Sequence, residues 1–196
     1  MIKRFALAAV AASALAGAAL TAPAQAEPAA YAFDKSHANV TFTVNHLGFS
    51  TVHGRFNDFD GTLMLDEENP SASSVSVTIP VESLATFWGP RDEHLKSPDF
   101  FNAAANPAIT FASTSVEKTG DMTLAVTGDF TLLGVTKPVT LDVTVTKIAP
   151  NPMSGTKTVG FHATTTIKRT DFGMNTFVPA ISDEVPVVID FEATAQ

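Results

Sequence analysis

Six side chains able to move a proton or meet a charge fall in the connections between apolar stretches: His46, His53, Arg91, His94, Arg169 and Asp171. With Ser50 and Ser97 close by in the sequence, hydroxyl, imidazole and carboxylate are all at hand for hydrolysis. No Gly-x-Ser-x-Gly turn presents either serine, and neither has an evident base beside it, so catalysis ranks behind binding. Metal capture is equally poorly served. The chain has 5 His and 0 Cys, and no His pair shows i, i+2 strand spacing or the His-Glu-x-x-His spacing of a helix. Neither a metal nor a cofactor is expected. What the six residues can do is recognise a polar group, with arginine offering charge-assisted bonds to a phosphate and the others hydrogen bonds to a neutral head.

The elements that must carry them are mostly strands. Residues 80–107 form the one sizeable exception, an insert whose Gly89-Pro90 breaker, acidic Asp92-Glu93 and Ser97-Pro98 stop predict a short helix over residues 91–96. Trp88, Leu95, Phe100 and Phe101 give it an apolar side, as a lid or plug would need. Elsewhere apolar and Thr-rich positions alternate. Val40, Phe42, Val44 and His46 mark the first strand, residues 53–66 a second with a bulge near Asn57-Asp58, and Val75 to Val81 a third. Five more follow beyond the insert.

Eight alternating strands joined mainly by short turns predict an all-β fold, an extended eight-stranded antiparallel barrel with the helical insert between strands three and four. The inward parity nominates Phe42, Val44, Leu63, Val77, Ile79, Phe111, Val126, Phe130, Leu141, Val143, Phe161 and Ile189 as lumen residues, with Trp88 and Phe100 added from the insert. Such a barrel is either filled by its own side chains or holds one slender ligand, and periodicity leaves both open. His46 shares the inward parity near the rim, whereas His37 and His162 fall on the polar faces of their strands. In a meander the connections after strands one, three, five and seven share one end. That end gathers the six candidate residues with Phe49, Phe87, Trp88, Phe172, Met174 and Phe177, while the opposite end has polar turns. An apolar channel with such a mouth suits an amphiphile.

Composition bounds the setting. Lys3-Arg4, the apolar run over residues 5–20 and Ala24-Gln25-Ala26 read as a secretory signal peptide cut after Ala26, leaving residues 27–196 as one domain exported to the periplasm without stable membrane insertion. The absence of cysteine leaves that domain to be held by its core. The net charge of -8, lowered by two more on loss of Lys3 and Arg4, argues against nucleic acid and against adsorption to anionic lipid. With 15 Phe against 1 Tyr and 1 Trp, the aromatic content suits a dry interior.

The chain resembles the YceI-like family of exported proteins over nearly all of its mature length. The resemblance rests on D-K-S-H-A-N-V-T-F-T-V-N-H-L-G-F-S-T-V-H-G-R-F from Asp34, R-D-E-H-L-K-S-P-D-F-F from Arg91, G-V-T-K-P-V-T-L-D-V from Gly134 and R-T-D-F-G-M from Arg169. It implies a lipocalin-like barrel that binds, stores or transports an isoprenoid lipid, a polyprenyl phosphate or pyrophosphate or an isoprenoid quinone, with the tail in the lumen and the head at the mouth. Ala38, Asn102 and Asn106 stand where the family commonly has Ser, Asp and Tyr. A filled barrel serving as a scaffold or stress-response protein is the competing reading, a hydrolase the weaker one, and a homodimer is compatible with the sequence.

Overall fold

The computed structural model describes residues 27–196, and the expected leader lies outside them. In chain order the elements are β1 (Ala29–His46), β2 (Ser50–Phe56), β3 (Asp60–Leu65), β4 (Ser74–Pro80), β5 (Leu84–Ala85), α1 (Gly89–Lys96), β6 (Ala108–Lys118), β7 (Thr123–Leu132), β8 (Val135–Pro150), β9 (Lys157–Lys168) and β10 (Glu184–Ala195). Alternating Val, Ile, Phe and Thr make the strands, since branched and aromatic side chains pack well on a pleated surface. The sheet order is β10-β9-β8-β7-β6-β4-β3-β1, and β10 pairs with β1 to close it. β2 and β3 are halves of one bent strand, both antiparallel to β1, with Val52 opposite Val44 and Leu63 opposite Tyr31. Counted so, the barrel is the closed eight-stranded antiparallel one that the alternation predicted. The bend falls at residues 57–59, where the sequence placed a bulge.

The first strand begins earlier than its alternation suggested, at Ala29 instead of Val40. Asp34 faces Glu192 and Ala38 faces Phe191, so Lys35, Ser36 and His37 loop out and the inward parity resumes beyond them. A polar bulge inside a strand reads as a terminus in sequence. The sheet also leaves room for the insert: β2 pairs with β5, Phe56 opposite Leu84, while Val81 N donates to Pro107 O at 2.9 Å across the insert's base. α1 starts with Pro90 in its first turn, where a missing N–H costs nothing, carries Asp92 there and Lys96 in its last turn, and stops at Ser97 before Pro98.

Two apolar clusters occupy the interior. One fills the lower end with Tyr31, Leu63, Leu65, Val116, Leu124, Val126, Val143, Val159, Phe161, Ala163 and Ala193. Tyr31 donates to Glu67 at 2.8 Å, and Lys157 pairs with Glu67 at 2.5 Å, fastening this end. Burial, then the Glu67 hydrogen bond, pushes the Tyr31 hydroxyl up to about 12. The other cluster lies toward the insert and includes Phe56, Phe59, Val81, Leu84, Phe100, Ile109, Leu132, Ile167, Phe172 and Met174.

Candidate functional site: a blind apolar cavity

Between the lower plug and the upper rim the barrel is hollow. The empty volume is about 1460 Å³ counting the open mouth, and Phe42, Val44, Val77, Ile79, Phe111, Phe130, Leu141 and Ile189 are on its wall, joined by Phe100 from the insert. Its floor is aromatic. Phe33 meets Phe59 and Phe191 edge to face at 5.4 and 5.3 Å between ring centroids, and Phe161 stacks under Phe191 at 4.8 Å. Two glycines set the width. A Cβ on Gly54 would lie 2.2 Å from the tip of the Phe42 ring, and one on Gly128 would lie 2.5 Å from that of Phe111, so both rings lie against bare backbone instead of reaching across the lumen.

Five nominated lumen residues lie elsewhere. Leu63, Val126, Val143 and Phe161 face inward, but at the level of the lower plug, where side chains from all around the barrel meet and leave no space. Trp88 is 59% exposed outside the cavity, because the Gly89-Pro90 turn directs the chain into α1 with the indole outward. Ile109, Leu132, Val139, Ile167 and Val187, on the same inward faces, also stand on the wall, as does Phe33, whose strand the bulge hides in the sequence.

The polar candidates are largely engaged with the protein itself. Arg169 is 4% exposed. Its Nε donates to Ser182 O at 2.8 Å, one terminal nitrogen to Met174 O and Thr176 O at 2.9 Å each, and the other to Ile181 O at 3.0 Å. It therefore holds the β9–β10 connection, residues 169–183, against the mouth, and burial lowers its pKa, partly countered by Asp183. Arg91 donates from Nε to Thr86 Oγ1 at 2.7 Å and from a terminal nitrogen to Thr86 O, and its guanidinium lies 5.8 Å from the Trp88 ring. Asp92 accepts from the Thr86 amide at 2.8 Å and from its hydroxyl, so α1 is clamped to buried Thr86 by two charged side chains. Arg169 lines the cavity but gives its donors to backbone carbonyls, and Arg91 divides its two bonds between the hydroxyl and the carbonyl of Thr86.

Asp171 is exposed and pairs with Lys137 at 3.5 Å. His94 is exposed, meets Asp99 at 3.0 Å, and stands edge-on to Phe100 at 5.1 Å. Lys96 pairs with Glu82 at 3.1 Å, a hydrogen bond that raises the lysine's pKa despite partial burial. His46 lies exposed at the end of β1, bridged to Ile181. His53 faces out, because its partner Thr43 alternates with inward Phe42 and Val44. The six residues thus share one end without converging on one point.

The closest grouping of metal-binding types among the described residues is on the outer face instead, where ligand atoms of Asp34, His37 and Glu192 lie within 4.8 Å of one another. His37 Nδ1 meets Asp34 at 2.7 Å and Ser36 donates to Asp34 at 2.6 Å. These bonds, His37 first, pull the Asp34 carboxyl down to about 2, and Asp34 raises His37 in return. The arrangement closes the β1 bulge. His162 pairs with Asp190 at 2.7 Å on the same outer side.

Residues 31–193 match the YceI-like domain. Over 168 residues, 85% of this chain and 87% of the relative, the sequence is 47% identical to protein YceI of Escherichia coli O157:H7. The crystal structure of Burkholderia cenocepacia BcnA superposes with a TM-score of 0.75 at 25% identity, covering 83% of this chain and 99% of that one. A domain from Saccharophagus degradans, described as polyisoprenoid binding and implicated in plant cell wall breakdown, shares the fold with a TM-score of 0.63 at 17% identity over 87% of this chain and all of its own.

Proposed function

This chain belongs to the YceI-like family, and from that membership and the blind cavity we propose that it binds one isoprenoid lipid, tail first, and carries or stores it in the periplasm as a binding protein, not an enzyme. The observation that carries the reading is the cavity itself: an apolar space above the packed lower end, walled by Phe, Val, Ile and Leu. Burial of each methylene contributes about 0.8 kcal/mol. A tail reaching from rim to floor is held by that term without any polar contact along its length. The fold-mate from S. degradans, described as polyisoprenoid binding, supports the ligand class.

The mouth favours a neutral head, a quinone or an alcohol, over a pyrophosphate. A polyanion calls for several unpaired cations converging on it. Here Arg169 and Arg91 are committed to carbonyl and hydroxyl groups, and Lys137 and Lys96 to carboxylates. The test is mass spectrometry of an organic extract of protein purified from a quinone-producing host, followed by titration with a polyprenyl alcohol, its pyrophosphate and a quinone of equal tail length. One isoprenoid per chain and no preference for the pyrophosphate are expected. No lipid in the extract and no uptake of any of the three overturns the function, while selective uptake of the pyrophosphate overturns the neutral head.

A further inference from the structure

Large apolar side chains stand in water around the mouth. Phe49 is 89% exposed and Phe87 80%, and Leu47, Trp88, Val135 and Phe177 are exposed too. Isolated exposed hydrophobes are ordinary, but a ring of them around one opening is not. Three of them, Leu47 (φ 56°), Phe87 (φ 65°) and Phe177 (φ 62°), sit in left-handed backbone. Bulky side chains avoid that region, and departures from it concentrate where function demands a particular side chain. The loops that carry them are tied together. Leu47 N donates to Ala180 O at 3.0 Å, and Thr176 donates to Asp99 O at 2.6 Å, linking the β1–β2 hairpin to the β9–β10 connection and that connection to the insert. Three of the tip-bearing loops are therefore fastened to one another.

Charge distribution identifies what the surface meets. The protein carries 20 acidic and 12 basic residues, yet residues 45–54, 84–90, 131–136 and 172–182 contain no Asp, Glu, Lys or Arg. At the opposite end the exposed Met122 and Met153 lie in turns of which the first carries Asp121, and the flanking strands carry Glu117, Lys118, Lys147 and Lys157. The tips themselves carry no charge, and charged side chains beside them are paired with opposite ones, Lys137 with Asp171, Lys96 with Glu82 and His94 with Asp99, so the rim presents no one-signed field and fits a surface of no net charge. Several separate apolar tips encircling an opening suit a penetrable interface. Indole and phenyl rings partition into the headgroup zone of a bilayer.

We propose that the rim docks reversibly on the interface of a zwitterionic phospholipid bilayer, placing the cavity mouth against its hydrocarbon. Docking rests on the rim and not on the ligand reading, though it would let a lipid tail pass between bilayer and barrel without crossing water.

The chain's single tryptophan, Trp88, stands on this rim and reports the event. Delipidated protein is titrated with phosphatidylethanolamine/phosphatidylcholine vesicles free of isoprenoids, some with brominated acyl chains. A blue shift, quenching by the brominated lipid and insensitivity to salt are expected. Phe49→Ser with Phe177→Ser, checked for an unchanged thermal transition, should lower the partition coefficient about tenfold or more, given what burying one Phe contributes. Met122→Ser with Met153→Ser should leave it unchanged. The proposal fails if no vesicle shifts Trp88, if only anionic vesicles do so and salt reverses it, or if the shift follows protein concentration without vesicles, the mark of a second copy seated on the rim. Docking without any isoprenoid in the extract would leave this surface standing and remove the proposed ligand.

Discussion

Replacing Arg169 by Met is the most informative single change, because it separates a residue that holds the mouth together from one that meets a ligand. Methionine keeps much of the length and removes every donor, leaving the carbonyls of Ser182, Met174, Thr176 and Ile181 without their partner. One of the four bonds is buried and three are part-buried, so at about 1 kcal/mol for each carbonyl left without its partner the loss is at most about 4 kcal/mol. Part of it is regained because a guanidinium no longer has to be desolvated, the same cost that depresses its pKa. A net loss of about 3 kcal/mol corresponds to a Tm lower by about 6 to 12 °C for a domain of this size. Calorimetry measures it, and amide exchange should show the loss of protection concentrated in residues 169–183. A fall smaller than about 2 °C would mean that water replaces the guanidinium at little cost. In that case the clamp is not structural and a ligand-facing role returns.

Other expectations divide wall from plug and clamp from contact. Val187→Phe, on the cavity wall, should reduce lipid occupancy with little change in Tm, whereas Val126→Phe, in the packed lower end, should cost about 1 to 3 kcal/mol and leave occupancy intact. Loss of occupancy in the Val126 variant would show that the cavity reaches through the plug. Gly54→Ala drives a methyl into the Phe42 ring, which must swing into the lumen, so the titrated capacity for long tails should fall while short-chain analogues still bind. Arg91→Ala, which frees Thr86 and loosens α1, should weaken alcohol, quinone and pyrophosphate alike; a loss confined to pyrophosphate would reinstate a headgroup contact. The Asp34–His37 pair sets a pH window. Asp34 is lowered from 3.8 to about 2, so its contribution is present above 3.8 and lost toward 2. His37 is raised above 6.5, so its share is present below 6.5 and lost as pH climbs through the raised value. The Tm difference between wild type and His37→Ala should therefore be greatest between 3.8 and 6.5, and a constant difference across that range and beyond would refute the pairing.

The barrel was legible because alternation encodes which face a side chain takes. It does not encode depth. Val126 and Phe130 share a face of β7, yet one lies in the plug and the other on the cavity wall, a distinction set by how neighbouring strands are staggered. The early half of β1 was hidden for a related reason, since Lys35, Ser36 and His37 interrupt the pattern just where the strand bulges. The positions of Arg91 and Arg169 at one end followed from topology, but their partners did not. Arg169 gives its donors to backbone carbonyls and Arg91 one of its two bonds, and carbonyls are groups that every residue possesses and no motif distinguishes. A sequence can advertise a cation at a rim without revealing that the chain has already claimed it.

The Phe33, Phe59 and Phe191 floor gives the barrel a memory of direction. A tube open at both ends could be threaded, one occupant pushing out another. With one opening, whatever goes in tail first must come out head first, and a successor waits until the predecessor has fully withdrawn. Replacement is therefore limited by departure, so the exchange rate should be indifferent to how much competitor is supplied. An acceptor that collects the cargo always meets the same end of it.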